Sequence, residues 1–212
     1  MFRPTAASLV RGAISLLFFF PLLAATGCGT VPKIIVLKDP LSSEEHVRLG
    51  LSYEAQGQWD LALSEYEAAL KKGGSSSVIE GYRGNVYFSK KDYASAKDAY
   101  RKSLSENPQN APVLNNLAFL YLVRKENLKE AEGLVRRAIE IDPARKPYYL
   151  DTLGSLFLER NEPDLALSVY QEAETLAPSD PAFLDHLHDS KKKVLDRLER
   201  TPDEADRRRG GG

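Results

Sequence analysis

The 212-residue chain contains few of the residues that reaction chemistry uses. Its one cysteine, Cys28, can form no internal disulfide. Its three histidines are His46, His186 and His188, and the last two would point to different faces of a helix, which makes a poor metal site. The sequence has no glycine-rich phosphate loop and no Gly-x-Ser-x-Gly motif. We therefore expect no catalytic residues, no metal and no cofactor, and a protein that is not an enzyme.

The chain also lacks an excess of charge of either sign. It has 29 Lys and Arg residues against 30 Asp and Glu residues, for a net charge of -1 at pH 7. Nucleic-acid binding requires a basic stripe, so no nucleic acid is expected as a partner. No small-molecule substrate is expected either. The arginines at 207–209 belong to a polar, glycine-ended stretch, and we expect residues 201–212 to be a disordered tail.

No apolar run is long enough for a comfortable membrane span, which needs about 20 residues. Residues 12–25 are almost wholly apolar and follow Arg3 and Arg11, a pattern typical of a signal peptide. The run ends in Ala25-Thr26-Gly27-Cys28. Small residues before a cysteine resemble the lipobox of bacterial lipoproteins, although that family usually has leucine where Ala25 stands.

This resemblance implies a signal peptide over residues 1–27 and covalent lipid on Cys28. Several acyl chains on one residue would hold a protein firmly at a membrane. Residue 29 is Gly and not Asp, which by the same resemblance implies the outer membrane of a bacterial envelope, facing the periplasm. The alternative is a chance cysteine after an ordinary signal peptide or anchor.

Residues 28–42 are predicted to be a tether. Pro32 and Pro40 prevent a continuous helix there. Between them, residues 34–37 are apolar and favour an extended backbone, so we expect this run to dock on the folded part of the chain or to pair with another surface.

A spacing of 34 residues organises most of the remaining chain. A pattern of glycine, aromatic, alanine and tyrosine occurs once, returns after 34 residues and returns again 70 residues later. Its members are Gly50, Tyr53, Ala62 and Tyr66; Gly84, Tyr87, Ala96 and Tyr100; and Gly154, Phe157, Ala166 and Tyr170. A looser copy contains Ala118, Tyr121, Ala131, Val135 and Ala138. Self-similarity at this period is typical of stacked helical hairpins.

The pattern resembles the tetratricopeptide repeat. The fourth copy matches its signature best, with Leu150, Leu153, Gly154, Phe157, Ala166, Tyr170, Ala173 and Pro178. The second copy departs from it, with Arg83 and Ser103 at two core positions. The resemblance covers residues 43–180 and implies an all-α solenoid of four repeats, at 43–76, 77–110, 111–146 and 147–180.

Further signals concern the helix ends. Ser42 with Glu45, and Asn127 with Glu130, have the spacing of capping boxes. A helix over residues 181–200 is expected to cover the last repeat through an apolar stripe, while its basic residues are solvated. The stripe consists of Phe183, Leu187, Val194 and Leu198, and the basic residues are Lys191, Lys192, Lys193 and Arg197.

By the same resemblance, a peptide or partner helix would bind in a concave groove lined by the first helix of each repeat. The residues at the contact positions are Tyr82, Asn85, Phe88, Asn115, Asn116, Phe119, Leu122, Tyr148, Asp151, Ser155 and Leu158. Asparagine amides both donate and accept, so they can bind a peptide backbone, and the aromatic rings can hold an apolar anchor. For Phe119 and Leu122, packing inside the solenoid is an equal alternative.

Chaperone-binding members of the family hold a terminal carboxylate with basic residues. Gly81, Tyr148 and Thr152 occupy those places here, so we expect no such clamp from the repeats.

Together these features predict an outer-membrane-anchored adaptor that binds another envelope protein. One version resembles pilotins, whose lipid tail carries a channel subunit to the outer membrane during assembly of a pilus, secretion or export machine. The other resembles repeat lipoproteins that recruit or regulate an envelope peptidase or a cell-wall hydrolase. The sequence leaves the partner's identity and the oligomeric state open.

Overall fold

The computed structural model describes residues 39–177 and 180–199. The chain divides into two units, residues 1–39 and 40–212, and all the helices named below belong to the second. The predicted signal peptide, Cys28, the apolar run at 34–37 and the tail at 201–212 lie outside the described residues and stay predictions.

Nine α-helices, with short connections, make up the described part of the chain. They are α1 (Ser43–Ala55), α2 (Trp59–Lys71), α3 (Ser76–Ser89), α4 (Tyr93–Glu106), α5 (Ala111–Arg124), α6 (Leu128–Ile141), α7 (Lys146–Glu159), α8 (Pro163–Leu176) and α9 (Pro181–Glu199). The first eight pair as four hairpins, and each hairpin packs on the next. The predicted all-α solenoid of helical hairpins is confirmed. None of these helices has the length and apolar character needed to cross a membrane.

Helix ends follow local side-chain chemistry at α1. Ser42 accepts a hydrogen bond from the Glu45 backbone N–H, and the Glu45 carboxylate accepts one from the Ser42 N–H at 2.7 Å. This is the capping box that the sequence predicts. It satisfies two N–H groups that the first turn of a helix cannot pair internally.

The second predicted capping box is wrong. Asn127 has a left-handed backbone (φ 50°) and makes no side-chain cap hydrogen bond to α6. Lys125, two residues earlier, is also left-handed (φ 53°). Lys91 and Asn161, at the equivalent place in the second and fourth repeats, are left-handed too, so Lys125 is the ordinary turn residue. The left-handed Asn127 is particular to the third repeat, and it lacks the extended backbone that an N-cap side chain requires.

The glycine–tyrosine spacing reflects close packing inside each hairpin. A Cβ added to Gly84 would overlap the ring of Tyr100, because that ring lies directly against helix α3. Gly50 with Tyr66 and Gly154 with Tyr170 repeat the arrangement. The third hairpin instead has Ala118 and Val135 at the corresponding places, both fully buried, so a larger residue on one helix accompanies a smaller one on the other.

Polar residues replace part of the core in the second hairpin. The Glu80 side chain is only 2% exposed and accepts hydrogen bonds from Arg83 Nη1, at 3.0 Å to each oxygen, and from Lys102 Nζ at 2.6 Å. Fully buried Ser103 donates to the Ser77 carbonyl oxygen at 2.6 Å. These contacts satisfy the Glu80 carboxylate and the Ser103 hydroxyl, whereas Arg83 Nε is buried without a hydrogen-bond partner among the described residues.

Helix α9 covers the last hairpin. Leu187 and Val194 are fully buried, and Phe183 packs against the same core. Leu198, the fourth member of the predicted stripe, remains 39% exposed near the end of the helix.

Candidate functional site

The predicted contact residues lie on α3, α5 and α7, the first helices of hairpins two to four. We call the surface that these residues form the groove face. Neighbouring members touch between hairpins: Asn116 Nδ2 donates to Asn85 Oδ1 at 2.9 Å, and the rings of Phe88 and Phe119 lie 5.6 Å apart. The structure therefore brings the contact residues of α3 and α5 together.

The two asparagines are engaged with the fold as well as with each other. Asn85 Oδ1 also accepts a hydrogen bond from the Tyr100 hydroxyl at 2.9 Å, so both lone pairs of that oxygen are in use. Burial raises the pKa of Tyr100, which keeps this hydroxyl a donor. Within the described part of the chain, the amide N–H groups of Asn85 and the carbonyl oxygen of Asn116 have no protein partner. These are the groups available to a peptide backbone.

An aromatic cluster extends the groove face beside the asparagines. Phe119 is 41% exposed, and Phe88 also packs edge-on against Tyr93 at 5.5 Å. Leu122, one turn further along α5, is half-buried and lines a cavity. Neither Phe119 nor Leu122 is sealed inside the solenoid, so both can contact a bound chain.

Two other predicted residues face inward more than outward. Tyr82 stacks on Tyr66 of the preceding hairpin, with ring centroids 5.6 Å apart and the rings inclined by 23°. Asn115 is half-buried, and its side-chain oxygen Oδ1 is enclosed without a hydrogen-bond partner among the described residues.

The predicted residues of the fourth hairpin meet α9. Tyr148 lies on Phe183 with ring centroids 4.5 Å apart, and both carboxylate oxygens of Asp151 lie 3.1 Å from His186 Nε2. Burial raises the pKa of Asp151, and the nearby His186 opposes that shift. The end of the groove face is therefore occupied in part by the covering helix.

A cavity of 330 Å³ remains where α9 meets this end. It is lined by Leu122, Ser155, Leu158, Glu159, Tyr170, His186, Ser190, Lys193 and Arg197. Ser155 Oγ lies 2.9 Å from the Tyr170 hydroxyl, within hydrogen-bond distance. Lys193 and Arg197, two of the basic residues predicted to be solvated, are exposed and also line this cavity. The 4-3-4 spacing of residues 186, 190, 193 and 197, one face of a helix, was the sequence signal for it.

The first hairpin contributes a second hollow that the sequence did not indicate. It measures 540 Å³ and is lined by Ser43, Glu44, Val47, Arg48, Gly74, Ser75, Val78 and Ile79. Val78 is 44% exposed there. The predicted contact residues include none from this hairpin.

The two histidines of α9 do not form a common site. His186 bonds Asp151, whereas His188 lies 2.6 Å from Glu174, so the two histidines have separate partners. Residues 39–177 and 180–199 contain no group of three or more His, Cys, Asp and Glu side chains placed to hold a metal ion.

Comparisons with known proteins agree with this geometry. Sequence models of the tetratricopeptide repeat match residues 47–111 and 87–156, together just over half of the chain. The type IV pilus assembly protein PilF of Pseudomonas aeruginosa is 29% identical over 187 aligned residues, which cover 74% of this chain and 73% of that protein.

Solved structures show the same fold at lower identity. The structure of Pseudomonas aeruginosa PilF superimposes with a TM-score of 0.62 at 21% identity, over 73% of each chain. A tetratricopeptide repeat protein from Parabacteroides merdae gives a TM-score of 0.64 at 20% identity, over 76% of this chain and 60% of that one. The chain therefore belongs to the tetratricopeptide repeat family, whose fold is typically a scaffold for protein–protein interaction, and it is an adaptor of this kind.

Proposed function

We propose that this protein is a pilotin-like adaptor, anchored by lipid at the outer membrane, that supports assembly of a pilus or secretion machine. The observation that carries the proposal is the similarity to PilF, a type IV pilus assembly protein, over nearly three quarters of both chains. A match confined to one or two repeats would indicate only the repeat, whereas this one spans most of the described solenoid.

The groove face supports binding of a protein segment. It places amide groups with free hydrogen-bonding capacity, from Asn85 and Asn116, beside the exposed ring of Phe119. Amides bind the backbone of an extended peptide, and a partly exposed aromatic ring takes up an apolar side chain of the partner. An envelope protein with an exposed apolar segment is the partner that this combination favours.

The anchor in this proposal is Cys28. The residues from Ala25 to Cys28 resemble a lipobox, and Cys28 is the only cysteine of the chain, so a disulfide offers no competing use within it. Lipid on this residue would keep the groove face beside the membrane in which the channel subunit must assemble.

The test follows the location of a secretin-type channel subunit in the bacterium that carries the gene. Membranes from a deletion strain are fractionated after complementation with wild type, Cys28→Ser or Phe119→Ala. We expect wild type to restore the channel subunit to the outer membrane and Cys28→Ser to leave it in the inner membrane. Phe119→Ala should no longer bind the channel subunit. Leu165→Ala on α8 is the matched control, because Leu165 is also an exposed apolar residue, at 51%, but lies away from the groove face.

Correct placement of the channel subunit in the deletion strain would contradict the pilotin-like function. A changed activity of an envelope peptidase or cell-wall hydrolase in the same strain would then favour the recruiter function. Mass spectrometry of the mature chain tests the anchor separately, since acylation must add lipid mass at Cys28 and Cys28→Ser must lack it.

A further inference from the structure

One face of α9 carries cations toward the end of the groove face. His186, Ser190, Lys193 and Arg197 follow one another at helical spacing, and all four line the 330 Å³ cavity. Leu122 and Ser155, two of the predicted groove residues, line the same cavity. The cavity is therefore continuous with the groove face, and α9 bounds its far side.

Two positive charges in this cavity have no carboxylate partner among the described residues. Arg197 Nη1 donates to a neutral group, the Leu158 carbonyl oxygen, at 3.2 Å. Lys193 makes no ion pair within the described part of the chain. Lys193 and Arg197 are both exposed and lie four residues apart on α9, so they repel each other weakly and an anion between them would relieve that repulsion.

Two acidic groups on α7, at and near the cavity, already have partners. Glu159, also at the cavity, pairs with Lys125 at 2.8 Å, and Asp151 pairs with His186 at 3.1 Å. The charge of Lys193 helps to lower the pKa of Asp151 from a distance, but neither carboxylate forms an ion pair with Lys193 or Arg197. Neither of these two carboxylates therefore occupies the cations, which leaves Lys193 and Arg197 able to bind an incoming carboxylate.

Hydroxyl groups complete the lining. Ser155 and Tyr170 lie within hydrogen-bond distance of each other, and buried Ser190 lines the cavity beside them. Burial raises the pKa of Tyr170, so its hydroxyl keeps its proton at neutral pH. Hydroxyl and cationic donors together form short, strong hydrogen bonds to carboxylate oxygens.

We propose that this cavity binds the C-terminal carboxylate of the partner peptide, with Lys193 and Arg197 as its cations. The proposal rests on the proposed function of the groove face and names the chemistry of its ligand. A peptide that follows the groove face past Phe119 and Leu122 meets α9, which favours a chain end there. Leu122 and Leu158 supply apolar contact for its last side chain. The cations come from the covering helix and not from the repeat positions of Gly81, Tyr148 and Thr152.

The test uses defined probes and the full-length chain in a mild detergent. Acetyl-Leu-Phe with a free carboxylate is titrated against the same dipeptide with a C-terminal amide, and binding is followed by NMR shifts of α5, α7 and α9. We expect the free carboxylate to bind roughly tenfold more tightly, the size of effect that one charge-assisted hydrogen bond gives. Lys193→Gln and Arg197→Gln should each remove most of that preference, and Lys193→Arg should retain it.

Lys192→Gln is the matched control, because it removes the same charge from the next residue of α9, which does not line the cavity. Equal binding of the acid and the amide, or equal effects of Lys193→Gln and Lys192→Gln, would overturn the proposal. Acetyl-Glu-Phe-amide tests a side-chain carboxylate, and inorganic phosphate tests a simple anion site. Binding of either probe as tight as that of the free acid would also overturn the assignment to a chain end.

Different experiments test the carboxylate site and the proposed function of the groove face, so either can be wrong without the other. If Phe119→Ala abolishes capture of the channel subunit but the dipeptide acid shows no preference, the groove function stands and the carboxylate site is wrong. If the dipeptide acid binds as expected but Phe119→Ala leaves capture unchanged, the cavity binds carboxylates without the proposed groove function.

Discussion

The Asn116 side chain donates a 2.9 Å hydrogen bond to Asn85 across the boundary between the second and third repeats. The Tyr100 hydroxyl donates to the same Asn85 oxygen. Asn85 is thus a structural acceptor as well as a candidate contact, whereas Asn116 contributes only one bond to the fold. Both residues were predicted as contacts, but the structure gives them unequal parts in the fold.

Because of this difference, we expect Asn85→Ala and Asn116→Ala to lower the free energy of unfolding by unequal amounts. Asn85→Ala leaves the buried Tyr100 hydroxyl without its acceptor and should lower the free energy of unfolding by about 1–3 kcal/mol. Asn116→Ala leaves the Tyr100–Asn85 bond intact and should cost about 1 kcal/mol or less. Urea denaturation of both variants measures the difference. If Asn116→Ala is the more destabilising, Asn85 is not the structural acceptor of this interface.

The contact between Gly84 and Tyr100 predicts the effect of a single methyl group. Gly84→Ala forces its Cβ into the Tyr100 ring and should destabilise the protein by about 1–3 kcal/mol. Gly84→Ala with Tyr100→Val copies the fully buried Ala118–Val135 pair of the third repeat and should recover part of the loss.

Gly133→Ala is the control for that experiment. Gly133 lies within α6, and a Cβ there would meet nothing within 4 Å. Alanine should therefore raise stability by about 0.5–1 kcal/mol through helix propensity. Thermal unfolding of the three variants, followed by circular dichroism, gives the comparison. Equal effects of Gly84→Ala and Gly133→Ala would mean that the Tyr100 ring does not pack against α3.

The half-buried carboxyl group of Glu54 is expected to make the protein less stable at neutral pH than at acidic pH. Burial raises the pKa of Glu54 above its ordinary 4.5, although a 2.8 Å hydrogen bond from the Tyr66 hydroxyl opposes the shift. The native state therefore holds this proton to higher pH than the unfolded chain. Stability falls as pH rises through the interval between the unfolded and native pKa values, and the loss is complete above it.

Glu54→Gln keeps an acceptor for Tyr66 but removes the half-buried charge. We expect it to be more stable than wild type at pH 7 and to lose this advantage below pH 4.5. Urea midpoints at pH 7 and pH 4 measure the effect. Glu67→Gln is the control of opposite sign, because the hydrogen bond and charge of Lys71 lower the pKa of Glu67. An advantage of Glu54→Gln that is the same at both pH values would contradict this account.

Because the carboxylate of Glu80 is buried, we expect replacing both Glu80 and Arg83 to be better tolerated than replacing Glu80 alone. Glu80→Leu alone leaves Arg83, whose side chain is 27% exposed, without its ion pair, and should cost about 1–3 kcal/mol. Glu80→Leu with Arg83→Leu reproduces Leu150 and Leu153, which occupy these places in the fourth repeat.

The double variant should be at least as stable as wild type, with a gain of up to about 4 kcal/mol, because packed apolar residues replace a desolvated ion pair. Lys102, with its side chain 55% exposed, stays solvated in both variants. A double variant less stable than Glu80→Leu would show that the network stabilises the second repeat beyond its packing. Guanidinium denaturation measures all three chains.

Much of the fold was predictable because its signals are local and periodic. The glycine–tyrosine pairs, the alanines on the opposing helices and the Ser42 capping box each depend on residues close in the chain. The predicted box at Asn127 failed because Asn127 itself has a left-handed backbone, which its residue type and spacing do not specify.

The candidate site was predictable only in part. Repeat positions located Asn85, Asn116 and Phe119 on one surface, but the hydrogen bonds that commit Asn85 to the fold join residues from α3, α4 and α5. The sequence by itself determined the repeats and the composition of the groove face, because helical periodicity is a local property. Only the tertiary structure decided which groove residues remain available and how Lys193 and Arg197 reach its end, because those facts depend on how α9 packs against distant helices.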